Sequence, residues 1–332
     1  MKAALYERTG PASEVLVVRD IPMPKAGPGE VLVQIRASGI NPSDVKRRAG
    51  WNGQAMAHPL IVPHSDGAGD IVAVGSGVDA ARIGERVWLW NAQGSYGAPG
   101  RAHGTASEFI TIASDHAVQL PGPLSYDDGA CLGVPAMTAF RAVSAAGPVA
   151  GTSVLVNGGA GSVGLFAVQM AAFGGAQVIA SVGSDSDADM VRAAGAHQVV
   201  NRKTASVADA VREFTGGAGA DLIVEVDFAA NIELDAEVLK PDGMVSTYSS
   251  TSNVHPIFPY YAYALKGARF TLVQSFHLPP DIRRSGEETI SAMAGAGALA
   301  CHIGAHYPLT EIASAHERVE RGERGKTLVI PG

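Results

Sequence analysis

The sequence predicts an α/β protein with two domains, a partly open antiparallel β-barrel and a doubly wound parallel sheet. Its 332 residues exceed the length of a usual single domain, which is about 100–200 residues. The first part of the chain contains short strand-like runs separated by Gly and Pro, as antiparallel sheets do. Beyond Pro123, apolar strands alternate with helical patterns, as in a parallel sheet with crossover helices.

The N-terminal strands are short and closely spaced, which favours a barrel over a parallel sheet. Pro and Gly residues over 22–29 and again at 75–84 mark turns between them. A glycine-rich segment over 91–103 predicts a loop. The strand candidates lie at 15–18, 31–35, 71–74, 86–90 and 108–112.

The second part of the chain contains about six strands with helices between them. Ser125 is expected to cap a helix around 130–132, and a second helix is expected over 138–145. Two more helices are expected over 188–194, with Ser186 as N-cap and Gly195 at its end, and over 207–214. The strand candidates lie at 153–157, 177–182, 197–200, 222–226, 244–247 and 269–273.

The glycine motif after the first of these strands predicts a dinucleotide-binding turn. An apolar run over 154–156 leads into a G-x-G-x-x-G pattern, and a helix with one apolar face follows. The glycines permit a tight turn, close approach of a pyrophosphate and close packing of helix on strand, while the helix N-terminus offers N–H groups to the phosphates. A purely structural glycine turn is the alternative. The predicted cofactor contacts are Gly159, Ala160, Gly161, Ser162, Val163 and Gly164.

Composition and charge argue against several classes of protein. The net charge of −7 lacks the basic footprint of a nucleic-acid binder. No apolar run reaches the roughly 18 residues that a membrane span needs, and the N-terminus lacks the features of a signal peptide. Cys131 and Cys301 are too few for a disulfide framework. We therefore expect a cytoplasmic protein with neither a nucleic-acid nor a membrane partner.

Motifs along the whole chain resemble the medium-chain dehydrogenase/reductase superfamily, and most of all its zinc-independent quinone oxidoreductases, the zeta-crystallin group. The resemblance implies a GroES-like catalytic domain of residues 1–122 and 277–332, a Rossmann NADPH-binding domain of residues 123–276, and a homodimer formed through the nucleotide-binding sheets. The matching stretches are GINPSD at 39–44, SDGAG at 65–69, PAMTA at 135–139, NGGAGSVG at 157–164, YPL at 307–309 and GKTL at 325–328.

The resemblance also implies that no metal is bound. In the zinc-dependent branch, cysteine, histidine and cysteine stand where this chain has Asn41, Ser65 and Val134, and these three cannot supply the ligands of a catalytic zinc. His64 lies beside one of these positions, but a single histidine is more often structural. Without a Lewis acid the protein lacks a means of stabilising an alkoxide, which favours reduction of an electron-poor acceptor.

Residues after the second and third parallel strands predict NADPH rather than NADH. An NAD-binding fold places an acid about 20 residues past the last glycine, on the ribose 2′-hydroxyl. Here Gly183 and Ser184 stand at that position and leave room for a 2′-phosphate. The resemblance implies that Arg202 and Arg321 bind this phosphate. The alternative is that Asp185 binds the ribose of NADH.

The resemblance places further residues around the nicotinamide and the acceptor. Asn41 and Lys46 could stabilise an oxyanion that develops on the acceptor carbonyl, and Trp51 could stack on a planar acceptor. The alternatives are that Asn41 only shapes a turn, that Lys46 is solvated and that Trp51 is a core or hinge residue. The residues implied are Asn41, Asp44 and Lys46 as catalytic residues; Thr138, Lys326, Tyr248, Ser249, Val273 and Gln274 as cofactor contacts; and Trp51 in the substrate pocket.

The function implied is NADPH-dependent hydride transfer to a quinone-type acceptor, with a small-molecule acceptor as the only partner besides a second copy of the chain. One alternative is a reductase of alkenal or 2-enoyl-thioester double bonds. The enoyl-thioester relatives carry a tyrosine acid shortly after the Asn-Pro-Ser-Asp motif, and residues 49–53 of this chain contain no tyrosine. A further alternative is a non-catalytic NADPH-binding protein.

Overall fold

The structure, a computed structural model, describes residues 1–94 and 100–332; residues 95–99 of the predicted loop 91–103 lie outside the described residues. The strands are β1 (Lys2–Leu5), β2 (Val17–Asp20), β3 (Glu30–Gly39), β4 (Asp66–Val74), β5 (Arg86–Leu89), β6 (Phe109–Ala113), β7 (Ala117–Gln119), β8 (Ser153–Val156), β9 (Gln177–Val182), β10 (Gln198–Asn201), β11 (Ala220–Glu225), β12 (Leu239–Thr247), β13 (Arg269–Leu272), β14 (Ile303–Pro308) and β15 (Lys326–Ile330). The α-helices are α1 (Ala12–Val15), α2 (Pro42–Ala49), α3 (Tyr126–Ser144), α4 (Ser162–Phe173), α5 (Ala188–Ala193), α6 (Val207–Phe214), α7 (Phe228–Val238), α8 (Tyr260–Ala264), α9 (Pro280–Gly295) and α10 (Ile312–Glu320).

The chain divides into two compact units. Unit 1 contains Met1–Pro135 and Glu287–Gly332, and unit 2 contains Ala136–Gly286. The divisions fall inside α3 and α9, whereas the domain boundaries predicted from the sequence, after residues 122 and 276, lie just before those helices.

Unit 1 is built on a seven-stranded sheet. Its strand order is β14-β15-β3-β4-β5-β7, and β6 also pairs with β3. Every pairing is antiparallel except that of β14 with β15. Val33, Ile71 and Val87 belong to the core beneath these strands. The β-rich domain predicted from short strands is confirmed.

The first predicted strand, 15–18, is wrong at its start. Val15 ends the short helix α1, where the N–H of Leu16 donates to the carbonyl of Ala12 at 3.0 Å. Pro11 precedes this turn with a φ of −57°, which suits a helix start. The sequence pattern also missed β1 and β7, because β1 is rich in alanine, a weak strand former, and β7 has only three residues.

The two helices predicted around 130–132 and over 138–145 are one element, α3, with a break at Gly133 (φ −9°, ψ −124°). Pro135 lacks an N–H and cannot continue the helical ladder. The amide of Val134 instead donates to Oδ1 of Asp66 at 2.9 Å. Ser125 caps the start as predicted, since its Oγ accepts from the N–H of Asp128 at 3.1 Å.

Unit 2 is a six-stranded parallel sheet with the order β10-β9-β8-β11-β12-β13. Counted within the unit this is 3-2-1-4-5-6, the doubly wound order in which ligands bind outside the carboxyl ends of the strands where the order reverses. The glycine turn follows β8, at this reversal. The predicted doubly wound sheet is confirmed.

Two local predictions in unit 2 are wrong. We expected α4 to have one apolar face, but every residue from Gly164 to Ala171 is buried, because α4 contains no charged side chain and packs on more than one side. We expected Ser186 to cap α5. Instead Ser186 lies in a 3₁₀ turn, Asp185–Asp187, and no side chain caps the helix at Asp187.

Within the described residues, no helix combines the length and the apolarity that crossing a bilayer requires.

Alanine substitutions at two glycines of the turn should separate packing from ligand approach. A Cβ at Gly164 would lie 2.2 Å from the carbonyl oxygen of Gly158, whereas a Cβ at Gly161 would lie 3.3 Å from the same atom. We expect Gly164→Ala to lower the free energy of unfolding by about 3 kcal/mol and Gly161→Ala to lower it by less than about 1 kcal/mol. Urea unfolding followed by far-UV circular dichroism measures both. Equal stability of the two variants would contradict this account of the turn.

Candidate functional site

A buried polar cluster joins three distant segments of unit 1. The Nζ of Lys326 donates to Oδ1 of Asn41 at 2.6 Å and lies 3.3 Å from Oδ2 of Asp66. The Nδ2 of Asn41 donates to the same Asp66 oxygen at 2.7 Å, and the backbone N–H of Asn41 donates to Oδ2 of Asp44 at 2.8 Å. All four residues are at most 3% exposed. We call Asn41, Asp44, Asp66 and Lys326 the acid–lysine cluster.

Local sequence explains how each member reaches the cluster. Asn41 precedes α2, whose first residue is Pro42, and the Asp44 carboxylate closes the first turn on the Asn41 amide. Asp66 and Lys326 are the first residues of β4 and β15, which flank β3 in the sheet.

Gly39, at the end of β3, provides the space that Lys326 needs. It pairs with Asp66 in the neighbouring strand. A Cβ at position 39 would lie 2.8 Å from Cε of Lys326 and 2.1 Å from the carbonyl oxygen of Ala130. The stem of the lysine therefore passes over a residue that has no side chain.

Burial shapes the charges of the cluster. It raises the pKa of Asp44 to about 6, with the neighbouring Asp66 carboxylate as the next cause. Burial also raises the pKa of Asp66, while Lys326 and the Asn41 amide act in the opposite direction. Asp44 can therefore take up a proton as the pH falls to about 6, while an ammonium group faces Asp66.

Lys46 and Trp51 form a pair of their own. The Nζ of Lys46 lies 4.9 Å from the ring centroid of Trp51, a cation–π distance. Trp51 is partly exposed, whereas Trp88 and Trp90 are fully buried. An exposed aromatic face beside a cation can contact a small molecule.

His64 is buried and neutral. Its Nδ1 lies 2.8 Å from Oγ of Ser38, and its Nε2 lies 2.9 Å from Nε2 of His316. Burial lowers the pKa of His64 well below its usual range and lowers that of His316 to about 3. Both ring nitrogens of His64 are thus engaged within the protein, as a structural histidine requires.

In unit 2, the glycine turn has the features that a pyrophosphate needs. Gly158 has a φ of +71°, and the N–H of Gly159 donates to the carbonyl of Ser181 at 2.8 Å. Gly161 is the N-cap residue of α4, and no side chain caps that helix, so its first N–H groups can meet an anion.

Gly183 and Arg202, two of the predicted 2′-phosphate residues, lie close together beyond the turn. A Cβ at Gly183 would lie 3.7 Å from a terminal guanidinium nitrogen of Arg202, and Arg202 is exposed. The nearby acids have other partners: Asp185 accepts from Nδ2 of Asn201 at 2.9 Å, and Asp187 accepts from Oγ of Ser184 at 2.6 Å. Among the described carboxylates, none forms an ion pair with Arg202.

The remaining predicted contacts divide between the units. In unit 2, Tyr248 follows β12, Val273 follows β13, and Oγ1 of Thr138 donates to Oγ of Ser275 at 3.1 Å. These residues, with Ser249 and Gln274, gather near the carboxyl ends of the parallel strands. In unit 1, Arg321 is exposed and its Nε donates to Glu323 at 2.7 Å.

Sequence reasoning missed Asp66, which satisfies three donors of the site. A signal was present, since Asp66 is followed by the small residues Gly67, Ala68 and Gly69, and burying an aspartate without a partner is unfavourable. It also missed Glu225, which ends the apolar strand β11 and is fully buried.

Two family profiles match the chain. The alcohol dehydrogenase GroES-like domain matches residues 27–122, and the zinc-binding dehydrogenase domain matches residues 162–284. A quinone oxidoreductase of Homo sapiens is 32% identical over 332 residues, covering 98% of this chain and 96% of the relative. A 2-haloacrylate reductase of a Burkholderia species is 28% identical and covers 100% of this chain and 99% of the relative.

Solved structures also match the chain over its whole length. An NAD-dependent alcohol dehydrogenase is 26% identical with a TM-score of 0.89, and a mycobacterial protein solved in complex with NADPH is 26% identical with a TM-score of 0.85. Each comparison covers 100% of both chains.

Replacing Lys326 with methionine should destabilise unit 1. The change leaves Asp66 as a buried carboxylate without its cation, and breaking a buried pair in this way costs about 3–5 kcal/mol. Urea unfolding followed by tryptophan fluorescence measures the loss, because all three tryptophans, Trp51, Trp88 and Trp90, lie in unit 1.

Two further variants make this test specific. Adding Asp66→Asn to Lys326→Met removes both charges and should recover part of the lost stability. Lys2→Met is the matched control: the Lys2 ammonium pairs with Asp20 at the surface, where an ion pair is worth about 0–1 kcal/mol. Equal destabilisation by Lys2→Met and Lys326→Met would show that the buried pair contributes no more to the free energy of unfolding than a surface ion pair.

Proposed function

Because the chain belongs to the quinone oxidoreductase group of the medium-chain dehydrogenase/reductase superfamily, we propose that it is a zinc-independent oxidoreductase that transfers hydride from NADPH to a quinone-type, electron-poor acceptor. The observation that carries this proposal is the acid–lysine cluster, in which Asn41 is buried, held by Asp66 and joined to an ammonium group rather than to a metal-ligand set. The 32% identity to a quinone oxidoreductase over 98% of the chain supports the acceptor class.

Zinc independence rests on the donor atoms present. Asn41 and Ser65 are neutral and buried, and Val134 has no side-chain donor. A catalytic zinc needs about three nitrogen, oxygen or sulfur ligands. The match to the zinc-binding dehydrogenase profile therefore does not imply zinc ligands at these positions. Cys131 and Cys301 are free thiols, which suits the cytoplasmic location that we also propose.

We propose that unit 2 holds NADPH through the turn Gly159–Gly164 and Arg202. Bound NADPH would supply the hydride. The bare glycines let the pyrophosphate approach the start of α4, and the guanidinium beside Gly183 can pair with the 2′-phosphate. The proposed contacts on the nicotinamide side are Thr138, Tyr248, Ser249, Val273 and Gln274. For Lys326 we propose a contact with the ribose or pyrophosphate, and for Arg321 a contact with the 2′-phosphate.

We assign the catalytic roles to the residues around α2. Lys326 and Asp66 hold both ends of the Asn41 amide, which leaves one Nδ2 hydrogen for an acceptor carbonyl. The Lys46 ammonium, lying over the Trp51 ring, is a second donor to an oxygen that gains negative charge. The Trp51 face suits a planar quinone by stacking.

A second candidate is reduction of an electron-poor carbon–carbon double bond. The 28% identity to a 2-haloacrylate reductase over the whole chain favours it. Lys46, beside Trp51, offers a cation for a carboxylate substrate. Against it, residues 49–53 lack a tyrosine acid.

We further propose a homodimer formed through the parallel sheets. The strand β13 lies at the edge of the unit 2 sheet, and its Leu272 is 77% exposed. Leu265 and Ile257, at 86% and 90%, are also exposed in this unit. An apolar sheet edge of this kind favours pairing with another strand.

Removing the Arg202 guanidinium should weaken NADPH binding selectively. A hydrogen-bonded charge pair is worth about 1.5–3 kcal/mol, so we expect Arg202→Ala to raise the KM for NADPH about 10- to 100-fold and leave that for NADH unchanged. Steady-state kinetics with both cofactors measure this. Lys203→Ala is the matched control, since Lys203 is the exposed cation next in the chain. An equal effect on NADH would place Arg202 outside the 2′-phosphate site.

An acceptor screen tests the function itself. NADPH oxidation should be fastest with quinones, and Asn41→Ala should lower kcat about 100-fold with little change in NADPH affinity. Stopped-flow absorbance over quinones, alkenals, enoyl thioesters and 2-haloacrylates gives the comparison. Faster turnover of the unsaturated acids would select the double-bond reductase. Tight NADPH binding without turnover would select the non-catalytic alternative.

A further inference from the structure

Two buried carboxyl groups lie directly behind the glycine turn in unit 2. Glu225 ends β11, Asp235 lies on α7, and both are 0% exposed. A single nitrogen joins them, since Nδ2 of Asn157 donates to Oε2 of Glu225 at 2.6 Å and to Oδ1 of Asp235 at 3.1 Å. We call Glu225 and Asp235 the carboxyl pair.

Among the described residues, no cation acts on the charge of the pair. Glu225 accepts from Nδ2 of Asn231 at 2.9 Å and from the backbone N–H of Asp227, both uncharged donors. Oδ2 of Asp235 is buried and has no hydrogen-bond partner in the described part of the chain. Burying an ionised carboxylate in such a position is unfavourable in free energy. The titratable side chains that face the pair are Asp227, Tyr248 and Tyr263, none of which is positive.

These conditions favour one proton on the pair. Burial raises the pKa of Asp235 well above its usual range, and the Glu225 carboxylate is the next cause. Burial raises the pKa of Glu225 as well. A carboxyl group with a raised pKa in the folded state is stabilising at low pH, and the stabilisation is lost as pH rises through that pKa. Loss of the proton would leave two buried anions beside one amide.

Hydrogen bonds connect the pair to the turn. Oδ1 of Asn157 accepts from Oγ of Ser181 at 3.0 Å, and the same Oγ accepts from the N–H of Gly158 at 3.2 Å. Gly158 has a positive φ and is the first residue of the turn. The orientation of the Asn157 amide therefore depends on the pair and fixes the turn through Ser181.

We propose that the carboxyl pair is a positioning element of the nucleotide site: with one shared proton it holds Asn157 and the glycine turn in the geometry that binds NADPH, and loss of this proton weakens binding. The inference rests on the proposed function, because it needs unit 2 to bind the nucleotide. It adds a pH dependence that lies in the protein and not in the cofactor phosphate, whose second pKa is about 6.

The test is the affinity for NADPH between pH 7 and 9.5, measured by cofactor fluorescence with circular dichroism as a check of folding. If one proton is required, the wild-type Kd rises toward about tenfold per pH unit above the pKa of the pair. Asp235→Asn keeps a neutral partner that can accept from Asn157 and donate to Glu225. Its Kd should stay near the wild-type value at pH 7 and change less than about twofold across the range, since the Asp235 proton that the wild type would lose is absent.

Controls keep the outcomes distinct. Asp227→Asn removes a neighbouring carboxylate outside the pair and should retain the rise of Kd with pH, displaced toward lower pH because the Asp227 charge raises the pKa of Glu225. Should Asp235→Asn fail to fold, Glu225→Gln removes the same proton site from the other side. A flat wild-type profile, or an equal rise in wild type and Asp235→Asn, overturns the inference. Absence of NADPH binding by the wild type at pH 7 overturns the proposed function, and this inference with it.

Discussion

The contact between Asp66 and Lys326 joins residues 260 positions apart, and the candidate site of unit 1 depends on it. A buried carboxylate needs donors on every side, and Asp66 finds them in Lys326, in the Asn41 amide and in the backbone of Val134. One side chain therefore orients the amide, satisfies the N–H at the break in α3 and anchors the start of β15. Loss of Lys326 would leave a buried charge that the two neutral donors cannot balance.

The two units solve the same physical problem in different ways. In unit 1, a lysine ammonium faces the buried acid, so the local charge is balanced within the protein. In unit 2, Glu225 and Asp235 meet only neutral donors, so a proton has to provide the balance. Both arrangements hold an asparagine, Asn41 or Asn157, at the start of the segment that carries the site. An amide suits this place because it can donate and accept at once.

Local patterns predicted most of the fold. Strand alternation and the Gly-rich turn depend on neighbours in sequence, so the sequence predicted the parallel sheet and the start of α4. The burial of α4 on all sides was not, because it depends on what packs against the helix. The start of β2 was misjudged because a single helical turn after Pro11 outweighs the strand preference of Val15.

Only part of the candidate site could be predicted from the sequence. Resemblance pointed to Asn41, Asp44 and Lys326 one at a time, but neither spacing nor composition brings residues 285 positions apart into contact. Asp66 and the carboxyl pair were missed for the same reason: the role of a buried acid depends on its partners, and most of those are distant in sequence. The position of Arg202 was easier to predict, because this residue directly follows a strand whose place in the sheet is set by βαβ connections.

Gly39 shows how a residue without a functional group can govern those that have one. The lysine stem and the carbonyl of Ala130 occupy the volume that a methyl group at position 39 would need. Over evolutionary time, positions 39 and 326 cannot drift independently: a side chain at the first becomes acceptable only after the second has lost its long stem and α3 has moved. The order in which substitutions can accumulate around the acid–lysine cluster is thus set by a glycine outside it.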